Sequence, residues 1–281
     1  MHGQNRKKAI GFLVLFSLWE IGSRITDSRM FPPFSFVIKK VFILLTTELV
    51  DDIWISMQNI VLGFALATVM GFLAGILISQ SRLAELILMP IVDAIRPVAA
   101  LTLFPFIIIV LGLGLKSKVF VIFWTAWPPV LLNTYQGIKL VDEKILGAAS
   151  IDGADQLQKL IYIAIPLAAD NILMGLRIGL SGGWISLVSA EMLGSSAGLG
   201  YSILAFSQTF RFEEMYAVII VIALLGLGMN ITLSRVQEKI NYRLYSKEVE
   251  PYEDEKDFMA FGNRAVALAS GLLNGREHRG R

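Results

Sequence analysis

Apolar positions in this chain come in long unbroken runs. Neither strict alternation nor the three-and-four spacing of a half-buried helix dominates. A helix needs roughly 20 mostly apolar residues to cross a bilayer. Three runs meet that without a charged residue: 59–79, 119–138 and 215–233. Two more, 86–114 and 171–194, are long enough but enclose Asp93 and Arg96, and Arg177 and Glu191. The weakest is 9–25, where Glu20 and Arg24 crowd the second half. The pattern predicts an all-α integral membrane protein with about six transmembrane helices, or seven if 86–114 breaks at Pro97 or Pro105. It divides the chain into a transmembrane domain, 1–245, and a polar C-terminal tail, 246–281. Residues 35–54 are half apolar and mix Lys39, Lys40, Glu48, Asp51 and Asp52, which suits an amphipathic helix on the outer surface.

Composition agrees. Hydrophobic residues make up 55% and charged ones 17%, against about 45–50% and about 25% in soluble domains. The absence of cysteine excludes disulfides, Cys–zinc sites and thiol catalysis. The two histidines, His2 and His278, lie near the ends, so a central metal site or Ser-His-Asp triad has no raw material. A net charge of +2 is too small to point to nucleic acid.

Arg6, Lys7 and Lys8 precede the first run, and Arg235, Lys239, Arg243 and Lys247 follow the last. The positive-inside rule then places both termini and the loop 139–159 in the cytoplasm and demands an even number of spans. Arg24, Arg29, Lys39, Lys40, Lys116, Lys118 and Arg211 fall outside and moderate the bias. The basic start and apolar stretch would also suit a signal peptide. The following EIGSRITDS lacks a small-x-small cleavage pattern, so a retained anchor is expected. In the tail, EVEPYEDEKD reads as a solvated linker and FMAFGNRAVALASGLL as a short amphipathic helix.

Gly63, Ala67, Gly71 and Gly75 put small residues on one face of the second run, as Gly175 and Gly179 do on the fifth. Such faces let another backbone approach closely. Pro90, Pro97, Pro105, Pro128, Pro129 and Pro166 mark breaks. Charges inside apolar runs are costly unless paired or facing water. Arg96 or Arg177 is therefore expected near a pathway for an anionic solute, with Pro97, Trp184 and Glu191 along it, against the alternative that the arginines pair with Asp93 or Glu191 or snorkel at a helix end.

The most unusual segment is 143–166, EKILGAASIDGADQLQKLIYIAIP. Ala148, Ala149 and Ile151–Asp152 predict a short helix ended by Gly153. Leu157, Leu160, Ile161 and Ile163 begin a second, ending at Pro166. A short, small-residue helix exposed in the cytoplasm suits a partner's groove. The segment resembles the cytoplasmic E-A-A-x3-G-x9-I-x-L-P signature of binding-protein-dependent ABC transporter permeases. It matches at Ala148, Ala149, Gly153, Ile163 and Pro166, and departs at Gly147 (for Glu) and Ile165 (for Leu). Residues 95–114, 127–139 and 175–203 are similar to the nitrate/sulfonate/taurine (bicarbonate) branch.

The resemblance implies a MetI-like permease fold in a prokaryotic inner membrane. It implies pairing with a second permease subunit as a homodimer, two cytoplasmic ABC ATPases, and an extracytoplasmic solute-binding protein. Gly147, Ala148, Ala149, Ile151, Asp152, Gly153, Ala154, Ile163 and Pro166 would form the ATPase-coupling element. No cofactor is expected on this chain. ATP and Mg would bind the partner ATPase, because the fragments nearest to a phosphate-binding loop, GLGLKS and GSSAGLG, lack its Gly-Lys pair. An ion-gradient-driven secondary transporter would call for internal repeats, and none is evident. A membrane enzyme would need a nucleophile, metal ligands or an acid–base pair at a defined depth, and with no Cys, no internal His and only Asp93 and Glu191 in clear spans the raw material is poor.

Overall fold

The computed structural model describes residues 2–26 and 28–245, and among these every regular element is helical. The order is α1 (His2–Thr26), α2 (Phe34–Thr46), α3 (Leu49–Gln80), α4 (Arg82–Ile95), α5 (Ala100–Leu111), α6 (Leu115–Lys139), α7 (Glu143–Ile151), α8 (Gln156–Lys159), a π-helical turn (Leu160–Ala164), α9 (Ile165–Leu167), α10 (Ala169–Gly194), α11 (Leu199–Gln208) and α12 (Phe212–Tyr245). The tail expected at 246–281 lies outside the described residues.

Among the described residues, four helices are each long and apolar enough to cross a membrane: α3, α6, α10 and α12 over Phe212–Ile240. They correspond to four of the expected spans. The run 86–114 differs. It forms two helices, α4 and α5, bent by 94°, which pass as a span only together. The break falls at Pro97, whereas Pro90 and Pro105 sit inside helices. The expected span at 9–25 falls within the single helix α1. The surface helix expected at 35–54 is shorter, ending at Thr46. From Leu49 the chain already belongs to α3, which starts ten residues before its uncharged stretch and carries Asp51 and Asp52 in its first turn.

The described residues form two compact units, and α3, α6, α10 and α12 contribute to both. One unit takes the residues up to Gly63, Ala100–Ile122 and Gly183–Met229. In it the Trp19 indole donates to the Pro32 carbonyl at 3.1 Å and stacks on Phe31. Glu20 accepts from the amide and hydroxyl of Ser35, at 3.0 Å each, and pairs with Arg24 at 2.7 Å. A carboxylate at the start of α2 meets amides that have no partner inside that helix. This explains why charges crowd the first apolar run. Other cations expected on the outer side are also engaged. Lys40 bonds Glu214 at 2.8 Å, which holds its ammonium above the usual lysine range. Arg211 lies 3.4 Å from Glu214 and 3.7 Å from Glu48.

The other unit takes Phe64–Ala99, Phe123–Gly182 and the residues from Asn230 on. Its axis is α6. A Cβ placed on Gly71 or Gly75 of α3 would lie 2.8 Å from the Trp127 or Leu131 carbonyl oxygen. One on Gly175 or Gly179 of α10 would lie 2.8 Å from that of Pro129 or Ala126. The small-residue faces are thus used for close packing on both sides of α6. Ile78, Val92, Leu131 and Leu132 form a buried cluster beside it. Trp124 donates to the Val98 carbonyl at 3.0 Å and supports the break after α4.

Candidate functional site

The segment 143–166 is built as a capped helix, a tight turn and a second helical stretch. Asp142 caps α7 through the Lys144 amide at 2.8 Å. At the other end the Ala154 amide donates to Ala149 O (2.9 Å) and the Gly153 amide to Ser150 O (3.2 Å). This is the six-to-one, five-to-two pattern of a Schellman motif, with Gly153 in its left-handed position at φ +85°. A residue bearing Cβ resists that conformation, so the turn asks for glycine where the signature has it. Asp155 and Gln158 then close a reciprocal capping box on α8.

The structure sorts the expected coupling residues into two groups. Ile151 is 89% exposed, and Gly147, Asp152 and Gly153 are exposed with it. Ala149 is buried at 2% and Ile163 at 1%, while Ala148, Ala154 and Pro166 are half-buried. Of the residues expected to form the coupling element, Ala149 and Ile163 thus turn toward the protein itself, while Ile151 points outward. A helix as short as α7 lies against its own protein along one side, and Ala149 is on that side. Pro166 does not end its helix. The Ile165 amide reaches back five residues to Leu160 O, making a wide turn just ahead of the proline. Pro166, with no amide hydrogen and a ring that collides with a regular preceding turn, is carried through.

Of the expected pathway residues, Arg96, Pro97 and Arg177 lie in one unit and Trp184 and Glu191 in the other. Arg96 and Asp93 are exposed, with no ion pair between them among the described residues. Arg177 donates through Nη2 to Gln237 Oε1 at 2.5 Å, and its buried Nε has no hydrogen-bond partner among the described residues. Trp184 is buried against Gly226.

Glu191 is fully enclosed. Its oxygens accept from the Ser56 hydroxyl at 2.9 Å, the Asn59 amide at 3.3 Å and the Gly200 backbone N–H at 3.0 Å. Neither arginine is its partner. Around it stand groups the sequence reading did not single out. Asp52 accepts from the Gly198 N–H at 2.7 Å and from the Ser202 hydroxyl. Ser56 accepts from the Leu199 N–H at 3.0 Å, and buried Lys118 donates to Ser195 at 2.6 Å. The available signal was GSSAGLG at 194–200, a glycine-rich break between an apolar run and a helix.

Apolar helices, four of them long enough to cross a membrane among the described residues, with α3 and α10 packed on α6, define a membrane-embedded helical subunit. The chain belongs to the family of binding-protein-dependent transport system inner membrane components, whose profile matches residues 67–245. It is 33% identical over 216 residues to SsuC of Bacillus subtilis strain 168, described as an aliphatic sulfonates transport permease. That match covers 76% of this chain and 78% of the relative. The taurine transport system permease TauC of Escherichia coli K12 is 32% identical, over 66% of this chain and 67% of its own. The nitrate import permease NrtB of Synechocystis sp. PCC 6803 is 28% identical, over 79% and 84%. In structure the chain is similar to a chain of the inward-facing MetNI methionine ABC transporter, with a TM-score of 0.59 at 18% identity, covering 68% of this chain and 95% of that one. The fold is MetI-like. The chain is an inner-membrane permease of an ABC importer, and its relatives are permease subunits, not enzymes.

Proposed function

We propose that this permease carries a small anion of the sulfonate or nitrate class, delivered by a solute-binding protein. It works as a homodimer with two ATPases that bind ATP and Mg, and it holds no cofactor itself. Both termini and the segment 143–166 face the cytoplasm. Ile151, with Gly147, Asp152 and Gly153 around it, enters a groove on the ATPase, while Ala149 and Ile163 anchor the turn from behind. Movement of the ATPases is passed to the membrane helices through this turn.

The observation that carries this reading is the Schellman turn at Gly153, which presents Ile151 almost wholly exposed at the place where the coupling signature falls. Entry into a partner's groove would bury this side chain. The anion assignment is supported by the names of SsuC, TauC and NrtB and by Arg177, which has a glutamine rather than a carboxylate as its partner. The test is ATP-driven uptake in proteoliposomes holding the permease and its ATPase, with binding protein added outside. Labelled taurine, a longer alkanesulfonate and nitrate are compared with a neutral and a cationic amino acid. Saturable uptake of one anion is expected; uptake of only the neutral or cationic solute overturns the anion assignment.

A further inference from the structure

The environment of α11 is unusual for a ten-residue helix. Its entry residue, Gly198, has φ +109°. Amides at the start of a helix have no partner within it. Here three successive ones are met by side chains from other helices: Gly198 by Asp52 and Leu199 by Ser56, both on α3, and Gly200 by Glu191 on α10. One turn on, the Ser202 hydroxyl takes the second oxygen of Asp52. Lys118 on α6 holds the incoming chain through Ser195. Space is as fully committed as hydrogen bonding. A Cβ on Gly200 would lie 2.2 Å from the Val188 carbonyl oxygen, and one on Gly198 would lie 2.6 Å from the Glu191 carboxyl carbon. Moving α11 off α3 or α10 would leave the enclosed Glu191 carboxylate and three buried amides without their partners. Carboxylates at a helix start also oppose its dipole favourably, which adds to the hold.

We propose that Asp52, Ser56 and Glu191 are positioning residues that lock α11 to α3 and α10 throughout the transport cycle. This corner travels as one body, and whatever opens to pass solute opens elsewhere. The proposal rests on the transport reading above.

Amide hydrogen exchange on the permease–ATPase complex tests it, with the resting complex compared with one trapped by ATP and vanadate. A peptide covering 195–202 should exchange slowly in both states, at rates within about twofold of each other. Acceleration of about tenfold or more in either state overturns the lock. The Glu191→Ala variant calibrates the measurement and should exchange at least about tenfold faster here in both states. Glu191→Gln, which keeps one acceptor oxygen, should fall between; an unchanged rate in Glu191→Ala would also count against the proposal. In a chain without native cysteine, Asp52→Cys/Ser202→Cys bridged by a short thiol linker should keep uptake within about twofold of its unbridged form. Uptake lost on bridging and restored by reduction would show that α11 must part from α3. Uptake by the unmodified complex is measured on the same preparation. Its absence overturns the transport reading, whereas state-dependent exchange in an active preparation overturns the lock alone.

Discussion

Two residues two positions apart, Ala149 and Ile151, carry opposite duties, and substitution should separate them. Ala149 is at 2% exposure and Ile151 at 89%. Ala149→Glu forces a carboxylate into an enclosed site with no partner, an error that costs several kcal/mol. It should lower the melting temperature of the purified permease in detergent. Ile151→Glu should leave melting unchanged and abolish co-purification of the ATPase. Equal melting of both variants would remove the distinction. Gly153→Val adds no clash, since nothing lies within 4 Å of a Cβ there, but it places a β-branched residue at φ +85°. A left-handed residue other than glycine costs roughly 1–2 kcal/mol. The expected result is an intact membrane domain with binding-protein-stimulated ATPase activity reduced at least about tenfold.

Among the elements, α7 tolerates what the seams along α6 do not. Gly147 is exposed, and nothing lies within 4 Å of a Cβ built on it. Gly147→Ala should therefore stabilise α7 by about 0.5–1 kcal/mol, the usual difference between glycine and alanine in a helix. Gly147→Glu, which supplies the carboxylate of the signature, should fold equally well. Gly75→Leu is the contrasting case. Its Cβ would meet the Leu131 carbonyl oxygen at 2.8 Å and Thr134 Cβ at 2.7 Å, so α3 and α6 must part. Loss of stable expression is expected, read by size-exclusion profile. The seam was legible in the sequence because glycines every four residues have few other uses in an apolar run. The 94° bend at Pro97 was half legible: proline announced a break, but three prolines competed and only packing decides among them. The start of α3 was misplaced because Asp51 and Asp52 read as surface charges. Their position at a helix start, with Asp52 bonded to α11, is a tertiary fact that local hydropathy does not contain.

For the whole molecule, the run lengths and the signature spacing were enough to reach the fold and the family. They did not reach the carboxylate lock, because Glu191 inside an apolar run reads the same whether it meets a solute or a helix start. Purified without its partners, the permease should show no ATP turnover above background, since the sequence holds no phosphate-binding loop. Turnover by a preparation shown free of other subunits would contradict that. In the assembled importer Arg177→Gln should reduce anion uptake at least about tenfold while leaving ATPase co-purification intact. Unchanged uptake would reassign Arg177 to tying α10 to Gln237.

The wide turn at Leu160–Ala164 amounts to a single-residue insertion in an otherwise regular helical path. Each residue of a regular helix turns the chain by about 100°. The wide turn takes up its extra residue within a single turn, so the chain before it keeps nearly the heading that a regular turn one residue shorter would give. Deleting one residue from this stretch should therefore convert the wide turn to a regular one and leave Ile151 pointing nearly as it does now, with ATPase docking retained. Deleting two residues exceeds that slack. It should swing Ile151 about a quarter-turn away and sever ATPase docking in a permease whose melting is nearly normal, because the phase of this one path sets the heading of the turn.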